Sequence, residues 1–173
     1  LVEETQEPLV VVSGSISWPP IRGWLPILQQ VRDSYPNIRF VFVYISEAHA
    51  QDVWPISSSR CHPSNQPVII HKHHSNDDRV LAAEKLAKDF NLDWDIWYDT
   101  YPDNMFEKTF AAWPGRFLVF NNSRMIYANS TSNGGIFDII GLNNSLESLI
   151  VWMTIMKINN NFISDKTIVI YFR

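Results

Sequence analysis

The stretch from Pro8 to Ile21, PLVVVSGSISWPPI, constrains this chain more than any other. Leu9 to Val12 is a short β-branched apolar run, the pattern of a buried strand. Ser13, Gly14 and Ser15 interrupt it, and Pro19-Pro20 opens a helical pattern. A strand thus feeds directly into a loop at a helix N-terminus. Backbone N–H groups and the helix dipole at such a loop favour an anion, so a thiolate or selenolate placed there has a depressed pKa. The residue in that slot is Trp18, whose indole offers no anion and cannot attack. The scaffold of a redox site is present, and its nucleophile, as written, is missing.

The rest of the chain reads as one folding unit. At 173 residues it can bury a normal core, and 46% hydrophobic residues with seven Trp argue against disorder. A net charge of −4 with scattered Lys and Arg leaves no nucleic-acid footprint. The single cysteine, Cys61, excludes an internal disulfide and a CxxC pair, so a resolving thiol has to come from outside. No run of about 18–20 apolar residues is present to span a bilayer. Leu1 to Glu7 is a polar lead-in without signal-type features, and the chain is expected to be a soluble piece of a longer protein, which leaves its localisation unknown and a membrane anchor elsewhere open.

Beyond Pro20, the residues Ile21, Trp24, Leu25, Leu28, Val31 and Tyr35 recur at helical spacing until Pro36-Asn37. Ile38 to Ile45 is a continuous apolar β-rich run, as in a parallel strand buried on both faces. A long loop from Glu47 to Pro67 follows, of a length that usually serves function. Ser75 or Asn76 caps a predicted helix from Asp77 to Phe90, with acids at its start and lysines toward its end. Trp94 to Tyr98 is a third strand, and Met105 to Ala112 a short helix stopped by Pro114. Phe117–Phe120 and Met125–Ala128 form a predicted hairpin, with a second loop at Asn133-Gly134-Gly135. Leu146 to Met156 is a closing amphipathic helix, giving a domain over 8–156 and a tail over 157–173. A βαβ start with a ββα finish predicts a thioredoxin-like α/β fold, a central mixed sheet flanked by helices. Pro114 then takes the place where that fold often holds a cis proline.

The sharpest cluster follows the second strand: Glu47-Ala48-His49-Ala50-Gln51-Asp52-Val53-Trp54. A carboxylate and an imidazole at a strand's carboxyl end make a credible site. With PLVVVSGSISWPPI, this block resembles the iodothyronine deiodinases. The resemblance continues through His73, Asp77-Asp78-Arg79-Val80-Leu81-Ala82-Ala83, Asp99-Thr100 and Ala112-Trp113-Pro114-Gly115-Arg116-Phe117-Leu118-Val119, covering Pro8 to about Trp152. It implies reductive removal of iodine from an iodinated phenol by a selenocysteine, with an external thiol regenerating the selenol and no bound cofactor. It implies that Glu47, His49 and His73 act in catalysis, that His49 and Arg116 grip the far end of the substrate, and that the chain associates as a homodimer. Arginine supplies fixed donors for a phenolate or carboxylate, and histidine relays protons near neutral pH.

Where that family reads Gly-Ser-Cys-Thr-Sec-Pro-Pro, this chain reads Gly14-Ser15-Ile16-Ser17-Trp18-Pro19-Pro20. The selenocysteine codon UGA means Trp in some genetic codes, so Trp18 stands either for a decoded selenocysteine or for a genuine tryptophan in a catalytically dead binding module. A thioredoxin-type reductase or thiol peroxidase is a third reading, disfavoured by the missing CxxC. Taken without the resemblance, Glu47 is a loop cap, His49 a satisfied histidine and Arg116 a structural residue. His62, His71, His73 and His74 lack the ligand set of a usual zinc site, so no metal is expected. Cys61 reads as a plain surface thiol.

Overall fold

The computed structural model describes residues 7–129 and 138–162. β1 (Leu9–Gly14) continues two residues past the apolar run, and α1 (Pro19–Ser34) starts on the two prolines, whose missing N–H groups would have had no helical partner anyway. β2 (Arg39–Tyr44), α2 (Asn76–Phe90) and β3 (Asp95–Tyr98) follow. Ser75 caps α2 by accepting the Asp78 N–H at 3.1 Å, and Asn91 ends it in the left-handed conformation with φ 48°. α3 (Met105–Phe110) leads to the hairpin β4 (Arg116–Asn121) and β5 (Arg124–Ala128).

α4 (Ile139–Phe162) is longer at both ends than the sequence pattern indicates, so Asn159–Phe162 is helical rather than tail. Leu142, Leu146 and Leu149 are buried along it while Ile140, Val151, Trp152 and Ile155 are exposed. Apolar residues therefore occupy both sides of α4, and apolar spacing does not mark its limits. The expected loop at Asn133-Gly134-Gly135 and the apolar run Thr167–Phe172 lie outside the described residues. No described helix is long and apolar enough to cross a membrane.

The five strands form one mixed sheet in the order β3-β2-β1-β4-β5. β1 and β2 are parallel with Gly14 opposite Tyr44, and β1 and β4 are antiparallel with Ser13 opposite Arg116. Alternation along the strands sorts side chains onto two faces. Val10, Val12, Phe40, Phe42, Phe117 and Val119 meet α1, α2 and α4, whereas Leu9, Val11, Val41, Val43 and Leu118 meet Phe106 and Phe110 of α3. Helices on both faces explain why β1 and β2 are apolar without a break. That burial leaves the carboxyl ends of β1 and β2 as a fixed platform for the loops that leave them.

Candidate active site

Two loops emerge side by side from that platform, residues 15–18 after β1 and 46–50 after β2. Gly14 O accepts the Ile45 N–H at 3.1 Å, Ser15 Oγ accepts the Ala48 N–H at 3.1 Å, and Ser17 Oγ accepts the His49 N–H at 3.1 Å. Both serines are buried, and their hydroxyls satisfy backbone donors that have no ladder partner. The sequence SGSIS thus fastens the turn after β1 to the Glu47–His49 segment.

Glu47 stands at the centre, its side chain 1% exposed. One carboxylate oxygen accepts the Ser17 N–H at 3.2 Å, and the other accepts the Tyr44 hydroxyl. The Tyr44 oxygen in turn accepts the Ile16 N–H at 3.0 Å. Burial, with the Glu47 charge and hydrogen bond added, holds the Tyr44 phenol well above its ordinary pKa, which keeps it a proton-bearing donor. His73 Nε2 lies 3.3 Å from Glu47 Oε1. It is buried and off hydrogen-bond alignment with that oxygen, so the pair is in contact without a formed bond.

His49 is held by its own loop. Its Nδ1 is 3.2 Å from Trp54 O, and the two rings meet edge to face at 5.0 Å. Asp52 accepts the Lys72 N–H at 2.8 Å, closing the loop on the segment that carries His73. Arg116 sits across the turn on β4. Its guanidinium donates to Asn129 O at 3.2 Å, to Phe110 O and to Ala111 O at 3.4 Å, and among the described residues it pairs with no carboxylate. His49 stands on the loop after β2 and Arg116 on β4, and no hydrogen bond joins them among the described residues.

Trp18 is 6% exposed and belongs to the main apolar core. Its ring lies on Gly115, where an added Cβ would come within 2.9 Å of Trp18 Cε3 and of Ser13 O, so only glycine fits beneath it. Gly115 follows the cis bond Trp113-Pro114, and its contact with the indole sets the cis-proline loop against the turn after β1. Pro19 and Pro20 carry no N–H, while the N–H of Ser17 goes to Glu47 and that of Trp18 to Ser15 O at 3.0 Å. Of the two N–H positions that an N-cap side chain reaches, the second and third of α1, Pro20 offers none and Ile21 offers one.

Four residues that sequence reasoning did not place in the site are held around it. Arg22, 1% exposed, donates to Ile16 O, Ser58 O and Arg60 O, each at 3.0 Å, tying α1 and the turn to the long loop. Desolvation lowers its pKa. Tyr44 reads in sequence as another core aromatic, and Arg79 as a polar position on α2. His62, in the predicted long loop, has a side chain only 5% exposed; its Nε2 meets Asp89 at 3.0 Å and its Nδ1 meets Ser64 Oγ at 2.8 Å, clasping the loop to α2. His71 and His74 are exposed, and no cluster able to hold a metal occurs among the described residues. Cys61 is exposed, its sulfur against Gly23 of α1.

A mixed sheet of this order, with a cis proline facing the turn between its first strand and helix, is the thioredoxin-like fold. Solved structures agree on that architecture. A secreted disulfide oxidoreductase of Mycobacterium tuberculosis matches with a TM-score of 0.54 at 13% identity, covering 84% of each chain. A thiol-disulfide oxidoreductase of Bacteroides fragilis matches with a TM-score of 0.51 at 11% identity, covering 83% of this chain and 82% of that one. At such identities the likeness concerns the fold alone.

The family is set by sequence. The iodothyronine deiodinase family model matches residues 2–138, and the chain belongs to that family. It is similar to the type II iodothyronine deiodinase of Rattus norvegicus, 34% identical over 88 residues, which cover 50% of this chain and 32% of the relative. It is also similar to the type I iodothyronine deiodinase of Xenopus laevis, 30% identical over 121 residues, 69% of this chain and 44% of the relative. The chain therefore spans less than half the length of these relatives.

Proposed function

We propose that this domain carries out reductive deiodination of an iodothyronine-type phenol, with a selenocysteine-type nucleophile at position 18. The observation that carries the reading is the Glu47 carboxylate, buried and bonded to the N–H of Ser17, with His73 Nε2 3.3 Å away. A buried carboxylate beside an imidazole is costly to keep and serves proton handling. It stands immediately behind a residue, Trp18, that has no use for it.

In the proposed reaction a selenolate at position 18 attacks iodine. The Se–I bond forms as the C–I bond breaks, and the ring carbon takes a proton delivered through His73 and Glu47. An external thiol then displaces iodide to give a selenenyl sulfide, and a second thiol releases the selenolate and leaves as a disulfide. Two thiols are oxidised to one disulfide for each aryl iodide reduced to aryl hydrogen, and no bound cofactor is required. Arg116 and His49, on either side of the turn, orient the ligand's charged or phenolic end. Association as a homodimer, and a membrane anchor outside this chain, belong to the same reading.

A second reading has its own observation: Trp18 is buried on Gly115 and fills the core at the turn. With tryptophan there the domain is an inert binder. Iodide release from an iodothyronine with dithiothreitol tests the machinery around position 18. The chain bearing Trp18→Cys releases iodide under the deiodinase reading, and the chain as written releases none. A folded Trp18→Cys protein that binds the iodothyronine, measured by tryptophan fluorescence, and releases no iodide supports the binder.

A further inference from the structure

We infer that Arg79 is a positioning residue that fixes the tautomer of His73, so that the Nε2 hydrogen faces Glu47. Its role in turnover rests on the deiodinase reading; the tautomer itself does not.

Arg79 is 1% exposed, deep in α2's inner face. Desolvation lowers its pKa, although the surrounding negative groups Asp99, Glu107 and Glu47 oppose the shift. Among the described residues no carboxylate lies within ion-pair distance of it. Instead its Nη1 donates to Asp99 O and to Asn104 Oδ1 at 2.9 Å, and its Nε faces His73 Nδ1 at 3.3 Å. The Asp99 carboxylate is occupied elsewhere, accepting the N–H groups of Phe106 and Glu107 at 2.9 Å each. A buried guanidinium without a carboxylate partner is costly to desolvate. Its placement needs a reason.

The chemistry of the donor supplies one. Arginine has only donors, so the His73 nitrogen it faces has to present a lone pair. A neutral imidazole with Nδ1 as acceptor carries its hydrogen on Nε2. That is the nitrogen buried 3.3 Å from Glu47 Oε1. The polar order consequently runs one way, from Arg79 to His73, whose Nε2 is in contact with the Glu47 carboxylate that receives the Tyr44 hydroxyl and the Ser17 N–H. The opposite tautomer would set two donors against each other at Nδ1 and two acceptors at Nε2. Asn104 holds the guanidinium in place from its far side.

The test is the ¹⁵N spectrum of the His73 ring, read by multiple-bond correlation to its carbon-bound hydrogens. The unaltered chain shows the Nε2–H tautomer. Arg79→Met, which removes the donors at similar length, shifts both ring nitrogens toward the averaged position, and Arg79→Lys restores much of the preference. Should Arg79→Met fail to fold, Asn104→Ala loosens the guanidinium from outside and produces a smaller shift in the same direction. In the Trp18→Cys background, Arg79→Met lowers kcat about 10- to 100-fold with KM little changed. An Nδ1–H tautomer in the unaltered chain overturns the inference, as do unchanged ring shifts in a folded Arg79→Met protein. Because the spectrum needs no turnover, the tautomer is decided even if no iodide is ever released.

Discussion

The indole of Trp18 rests on the bare backbone of Gly115, with room for no side chain between them: a Cβ at that position would lie 2.9 Å from Trp18 Cε3. The residue that ends the turn after β1 and the residue after cis-Pro114 are thereby coupled through space, 97 positions apart in sequence. Gly115→Ala is expected to destabilise the chain by about 1–3 kcal/mol through overpacking. In the Trp18→Cys background the cost falls, leaving the part due to the nearby Ser13 carbonyl. Urea midpoints of the four proteins check the coupling, and additive effects contradict it.

Tyr44→Phe leaves Glu47 without its hydroxyl donor and the Ile16 N–H without its acceptor in a fully buried place. Stability is expected to drop by about 1–3 kcal/mol, since each buried group keeps its desolvation penalty. The phenyl ring fits the space the phenol leaves, so packing does not mask the effect. Chemical denaturation with unchanged m-value is the measurement.

Arg22 secures three carbonyls on two segments. Arg22→Met is expected to cost about 2–4 kcal/mol and to release the loop between Glu47 and Pro67 from α1. Limited proteolysis reports this as new early cleavage near Ser57–Arg60. Cleavage unchanged from the parent chain shows that the His62–Asp89 clasp suffices alone.

Asp52 and Asp78 accept the backbone N–H groups of Lys72 and His74, and those bonds hold both carboxyls below their ordinary pKa of 3.8. A carboxyl depressed in the folded chain stabilises it above the unfolded pKa and loses that contribution as pH falls through the folded value. Stability is therefore constant in this respect above about pH 4 and declines below it. Asp52→Asn with Asp78→Asn flattens that decline. A slope below about pH 4 that the double variant leaves intact assigns acid sensitivity elsewhere.

Much of the scaffold is legible from local signals: PLVVV ahead of Pro-Pro, the run IRFVFVYI, and Ser75 before two acids place β1, α1, β2 and the start of α2. Those features depend on neighbours in sequence. The polar cluster around Glu47 does not. Tyr44 is one more aromatic in an apolar strand until the fold sets its hydroxyl on Glu47, and Arg79 shows its role only when α2 carries it to His73 and Asn104. His62 reads as solvated because its partner Asp89 is 27 residues away. The reach of α4 is hidden by apolar residues on both of its sides. Arg116 is legible as a site residue by motif, yet its ties to main-chain carbonyls come from the α3–β4 turn and the end of β5.

The central claim, that position 18 is the seat of a chalcogen nucleophile, is tested most directly by the mass of the peptide containing it. The protein is purified from the cells that make it, alkylated and cleaved after Arg22. The account predicts a peptide carrying one selenium, visible in its isotope pattern, in place of Trp18. A peptide with the tryptophan mass and no selenium contradicts it.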